Sequence, residues 1–384
     1  MRFDGEFLIY YNHYGSVSRR IKIVIIQEIH IMKANSHFSI HVTWAVKGAA
    51  VLLLLFHHLF FNSPGYVDRY EVSSVPLSWP VLNSLSYYAK ICVSVFVFMT
   101  GYGMAVRMKT LDTKQRQKYT LSRFLKLEST IIFLYLFAIL TTVLKPSSLL
   151  QYFKEGRLKG ILLMVIDGLG LANFFDTVRL IGSWWYLSFA IFLIFLMPVM
   201  LKLYEQFGFS TVVLAAMISM FGIDETHAVS LYLFTFALGI FLEESSMIPH
   251  IRTFCTTHSG LLKCLAVFLL MFIGCSLIRI RWGFYPWMNG LCALFLVLTL
   301  FTIVDLCGLR LIPLEILGKY SFPIYLTHSL IYDHYLTRIV YSPKNWILIL
   351  AWMTVLCLGL AVALEALRKL IRWDRIRLWH LADL

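Results

Sequence analysis

Apolar runs of roughly 20 residues, the length that carries a helix across a bilayer, recur along almost the whole of this chain. They fall at about 43–61, 87–106, 124–144, 184–202, 209–223, 228–242, 261–279, 285–305, 318–337 and 346–367. Hydrophobic residues make up 59% of the 384 positions and charged residues 14%, against about 45–50% and about 25% in soluble domains. A single soluble core could not hide that much apolar surface. Lipid removes the need to hide it, so the expected fold is all-α, a polytopic transmembrane helix bundle of about ten spans. A weaker run at about 159–175 holds Asp167 and has four glycines in or beside it, and it reads as re-entrant or peripheral.

The net charge of +13 is concentrated in two places. Residues 107–126 include seven basic residues and one acid, Asp112; residues 368–377 include five basic residues and one acid, Asp374. Basic residues beside spans stay in the cytoplasm, which places both segments inside. Ten spans satisfy that placement and eleven do not, although Lys145, Lys154, Arg157 and Lys159 then lie outside. No basic fold stands free of the apolar runs, so nucleic acid is not an expected partner. The seven cysteines are scattered and form no C-x-x-C pair, which indicates neither a metal site nor a disulfide framework. No cleavable signal peptide is visible, because the run at 21–26 is too short and no small-residue cleavage site follows it. Residues 1–40 read as a poorly organised segment with Met32 as an alternative start, 41–372 as one membrane domain, and 373–384 as a cytoplasmic tail.

Ionisable residues inside spans are costly and so are functional candidates. In the first span Lys47 and His58 stand eleven positions apart, on nearly one helix face and roughly 16 Å apart along the axis. His57 points about 80° away from that line. The pair could hold two ends of a long ligand; equally, Lys47 could snorkel at one interface with the histidines at the other. A second set, Ser321, Tyr325, His328 and Tyr332, draws a polar stripe that fits either a wet cavity or a hydrogen-bonded helix seam. Arg123 and Lys126 are neighbours on a helix surface, placed to grip phosphates or simply to anchor the span. Trp184, Trp185 and Tyr186 open a later span as an aromatic-belt anchor, and Thr100-Gly101-Tyr102-Gly103 permits close backbone approach or a break in the helix.

Together these pieces resemble acyltransferase family 3, the bacterial membrane O-acyltransferases. Lys47 and His58 fit the family's Arg/Lys, ten residues, His pattern. Phe98-Met99-Thr100-Gly101-Tyr102 resembles its Phe-x-x-Ser-Gly-Phe/Tyr, and Arg123-Phe-Leu-Lys126 its Arg-x-x-Arg. Trp185-Tyr186-Leu187, Phe236-Ala-Leu-Gly239 and the block from Leu317 to His328 resemble later motifs in the same order. Lys47 and Lys126 stand where the family more often has arginine, and the hydrolase-like domain that some members append is not expected here.

The resemblance implies a multi-pass protein of the bacterial cytoplasmic membrane. It implies acyl-CoA, usually acetyl-CoA, as co-substrate without a metal, and a hydroxyl of an envelope polysaccharide or glycolipid as acceptor. His58 is the expected general base, with His57 and His328 as alternatives. Arg123, Lys126 and Lys47 are expected to hold the donor. Thr100 or Tyr325 is expected to donate to the developing oxyanion, and both, with Ser321, are expected among the residues that bind the co-substrate. A polytopic transporter or flippase of a lipid-linked sugar is the rival class, but such folds often carry inverted repeats and none is visible here.

Overall fold

A computed structural model describes residues 36–61, 64–221, 228–283 and 285–376. Most of the segment expected to be poorly organised, with Met32, lies outside them, as do residues 222–223 of one expected span and 377–384 of the expected tail. The described residues form helices and connecting turns without a strand, apart from one isolated parallel bridge between Ser73 and Asn345.

The principal helices in chain order are α1 (Ile40–Phe60), α2 (Trp79–Tyr88), α3 (Ile91–Met108), α4 (Thr113–Thr141), α5 (Arg157–Gly168), α6 (Trp185–Phe207) and α7 (Phe209–Phe221). They continue with α8 (Ala228–Glu244), α9 (Met247–Phe254), α10 (His258–Trp282), α11 (Pro286–Phe301), α12 (Ile312–Lys319), α13 (Ser321–Ser329) and α14 (Trp346–Leu370). Their starts follow local chemistry. Ser39 accepts from Val42 N at α1, Asp112 and Gln115 complete a capping box at α4, and Asn345 caps α14.

Among the described residues, seven helices are long and apolar enough to cross a membrane, and eight if α8 and α9, bent by 61°, count as one. Ten were expected, and the difference has a physical origin. The expected span at 209–223 is the short helix α7. The one at 318–337 is broken at Tyr320 and again after Ser329, where the chain enters a π-helical turn over Leu330–Tyr335. Such π turns concentrate at functional sites. The weak run at 159–175 is the short α5, whose Leu158, Ile161, Leu162 and Val165 are exposed while Asp167 is buried.

Glycine sets the closest helix contacts, as expected where lipid offers no hydrophobic drive and backbones must pack directly. A Cβ added at Gly48 would lie 1.9 Å from the Leu314 carbonyl oxygen, and one at Gly318 would lie 1.8 Å from that of Trp44. That locks α1 against α12. A Cβ at Gly101 would lie 2.5 Å from the Phe236 oxygen, and one at Gly239 would lie 2.3 Å from that of Phe98, which locks α3 against α8 in the same way.

One end of the bundle is held by ion pairs. His37 Nδ1 lies 3.0 Å and Lys109 Nζ 3.6 Å from the Glu243 carboxylate, Arg116 binds Glu205 at 2.6 Å, and Arg252 binds Asp305 at 2.6 Å. We call this the basic end. The far end, where α1 finishes with His57 and His58, is the histidine end.

Candidate active site

A cavity of about 860 Å³ follows the inner face of α1 from His37 at the basic end to Phe61 at the histidine end. The described stretch of α1 is 21 residues, about 31 Å of helix, close to the thickness of a bilayer's hydrocarbon core. The opposite walls are α3, through Phe96, Thr100 and Arg107, and α4, through Tyr119, Arg123 and Lys126. Trp185 and Tyr186 of α6 and Ser321 and Tyr325 of α13 complete the lining.

The cavity gathers Lys47, Arg107, Arg123 and Lys126 towards one end and His57, His58 and Lys90 towards the other. Among the described residues no Asp or Glu lines it. Lys47 and Arg123 come from different helices and are within electrostatic range of one another. Two cations that approach each other without a lining acid make a wall suited to an anion.

At the other end three imidazoles form a cluster. The rings of His57 and His58 are 5.4 Å apart, and those of His58 and His328 are 4.8 Å apart. His57 Nδ1 is 2.8 Å from the Ser86 carbonyl oxygen. A carbonyl can only accept, so Nδ1 carries the proton and Nε2 of the neutral ring is the free acceptor. His328 Nδ1 donates in the same way to the Tyr325 carbonyl at 2.6 Å, and its Nε2 meets Ser329 Oγ at 3.3 Å. Tyr332 OH lies 3.4 Å from His58 Nδ1. The π turn that breaks the helix is what brings Tyr332 to His58 across 274 positions of sequence.

Several expectations change here. Although 80° separates it from the Lys47–His58 line, the His57 ring still reaches the cavity wall. His328 does not line the cavity and is fully buried behind His58, so it can position His58 but cannot touch a ligand in the cavity. Thr100 and Tyr325 do line the cavity, but the Thr100 hydroxyl donates to the Phe96 carbonyl at 2.8 Å and that of Tyr325 to the Ser183 carbonyl at 2.6 Å. Each hydroxyl has one proton, so serving an oxyanion would require it to turn away from that carbonyl.

The aromatic opening of α6 is not a membrane belt either. Trp184 is 3% exposed and its Nε1–H donates to the Leu326 carbonyl at 3.0 Å, while Ser183 Oγ meets Ser329 Oγ at 3.0 Å. This is a seam between α6 and α13 that fixes the wall carrying Trp185 and Tyr186. Burial favours such a seam because an unbonded indole N–H inside the bundle is costly.

The acyltransferase domain (Acyl_transf_3) matches residues 45–366, which takes in nearly every wall of the cavity. This chain belongs to acyltransferase family 3. No curated protein and no solved structure matches it. As a member of the family it is a multi-pass membrane acyltransferase, and the family motifs acquire physical roles. Gly101 and Gly239 are the two sides of the α3–α8 contact, and Lys47, His58 and Arg123 meet in one cavity.

The sequence reading left out Lys90, at the start of α3, and the fully buried Arg279 of α10. The signal was available, since Lys90 lies inside an expected span and Arg279 at the end of another. Among the described residues no group of three or more His, Cys, Asp or Glu side chains is placed to hold a metal ion.

Proposed function

We propose that this chain transfers an acyl group, acetyl in the simplest case, from acyl-CoA to a hydroxyl of an envelope polysaccharide or related glycoconjugate at a cytoplasmic membrane. The observation that carries this reading is the one cavity, basic without a lining acid at one end and histidine-lined at the other. Arg123, Lys126 and Lys47 hold the donor phosphates, the guanidinium through paired hydrogen bonds and the ammonium groups as point charges. The pantetheine arm, long and neutral, then runs along α1 towards the histidines. Lys47 and His58 are roughly 16 Å apart along the axis, a span that such an arm can bridge.

His58 takes the proton of the acceptor hydroxyl as its oxygen attacks the thioester carbonyl carbon. The C–O bond forms, the C–S bond breaks, and the coenzyme A thiolate leaves. The proton held by the imidazole returns to that sulfur, so charge and protons balance. Tyr332 and His328 hold the His58 ring in place during both transfers.

The reading sets the basic end in the cytoplasm, where acyl-CoA is available, and the histidine end outside. Acyl transfer by the purified chain tests it. With labelled acetyl-CoA and an envelope glycan extract, label should pass into alkali-labile ester only when both are present. A polytopic transporter would bind such a glycan without forming ester.

A further inference from the structure

The histidine end of the cavity carries more positive charge than the transfer step uses. Lys90 lines it beside His57 and His58. Arg279, with no exposed surface, lies over the Tyr87 ring at 4.7 Å and donates from Nε to Asn289 Oδ1 at 2.8 Å. Lys90, Arg279 and His57 are within electrostatic range of one another. Like charges gathered inside a membrane domain are costly, and the positive-inside bias acts against cations at an outer end. The donor does not explain them, because its phosphates belong with Arg123 and Lys126 at the far end of the cavity and its thioester is neutral. The same cavity is also lined by Trp185 and Tyr186, aromatic faces suited to packing on the apolar side of a sugar ring.

We propose that this end is an acceptor subsite for an anionic sugar, in which Lys90, backed by Arg279, binds a carboxylate or phosphate borne near the hydroxyl that is acylated. The inference rests on the acceptor reading above and adds the chemical class of the acceptor. Lys90 acts as a binding residue, since a cation fixed there orients the anionic sugar so that its hydroxyl faces His58.

Direct binding to the full-length chain in detergent tests it, with three probes compared: methyl glucuronide, glucose 1-phosphate and methyl glucoside. The two anionic sugars should bind at least about tenfold more tightly than the neutral one, a difference of about 1.4 kcal/mol. Lys90→Met should bring the anionic probe or probes down to the neutral level, while Lys90→Arg keeps the preference and reports a folded site. Arg123→Ala should leave the preference intact, which separates this end from the donor end. A preference for only one anionic probe identifies its group as the one recognised. Equal binding of all three sugars, no binding of any, or a preference that survives Lys90→Met overturns the proposal. Coenzyme A binding to the same preparation reports separately on the donor site, so loss of that binding counts against the function reading and not against the anion subsite.

Discussion

Arg123 shows how a residue with an ordinary explanation acquires a specific one. By sequence it is a basic residue at the start of a span, indistinguishable from an anchor. In the fold it shares a cavity with Lys47, a residue of another helix 76 positions earlier, and no acid lines that cavity among the described residues. If it binds donor phosphate, Arg123→Ala should raise the KM for acyl-CoA roughly 10–100-fold, the loss expected for one charge-assisted hydrogen bond, with little change in acceptor dependence. Steady-state kinetics with varied donor decides; normal donor saturation would return the residue to anchoring. The Lys47–His58 line was readable because both residues sit on one helix and helical geometry is regular. The contact of Tyr332 with His58 was not, because it depends on a π turn that shifts the register of the stripe. The hydrogen bonds of Thr100 and Tyr325 were hidden for a related reason: sequence shows a hydroxyl but not the carbonyl that takes its proton.

At the scale of helices, packing depends on glycines whose loss would act on backbone and not on flexible side chains. Gly318→Ala would drive a Cβ into the Trp44 carbonyl, and overpacking of this kind costs about 1–3 kcal/mol or more. Gly274→Ala on α10 meets nothing within 4 Å and should be neutral. Thermal midpoints of the two variants in one detergent should differ clearly; equal midpoints would mean that α1 and α12 can separate without cost.

The same pair of helices is clamped by Glu315 of α12, which accepts two bonds from Arg310, at 2.8 and 2.6 Å, and meets His41 of α1 at 3.0 Å. The Arg310 hydrogen bonds, with that of His41, hold the Glu315 carboxyl below its usual range. A carboxyl depressed in the fold adds stability above its unfolded pKa, about 4.3, and that stability is lost as pH falls through the lower folded value. Glu315→Gln should therefore lower the midpoint at neutral pH and weaken its dependence on pH in the acid range. A variant whose midpoint falls equally at every pH would place the contribution elsewhere. Helix positions were largely legible in the apolar runs. The break within 318–337 was overlooked, although Lys319 and, in the turn itself, Asp333 and His334 interrupt the apolar run.

For the whole molecule, the sequence established a membrane bundle because no soluble core can absorb this composition. It did not establish that its scattered polar residues line a single cavity, since that depends on which helices become neighbours. The cavity runs the full described length of α1, so the account makes the enzyme two-sided, with donor entering at one membrane face and acceptor at the other.

Sealed membrane vesicles of known orientation, bearing this chain and supplied from outside with labelled acetyl-CoA that cannot cross the bilayer, test that claim most directly. Inside-out vesicles should place label on envelope glycan as alkali-labile ester, and right-side-out vesicles should not. His58→Ala should reduce the labelling by at least about a hundredfold, within the range a general base contributes, and His57→Ala far less. Equal labelling from right-side-out vesicles, or full labelling by His58→Ala at normal expression, would contradict the account.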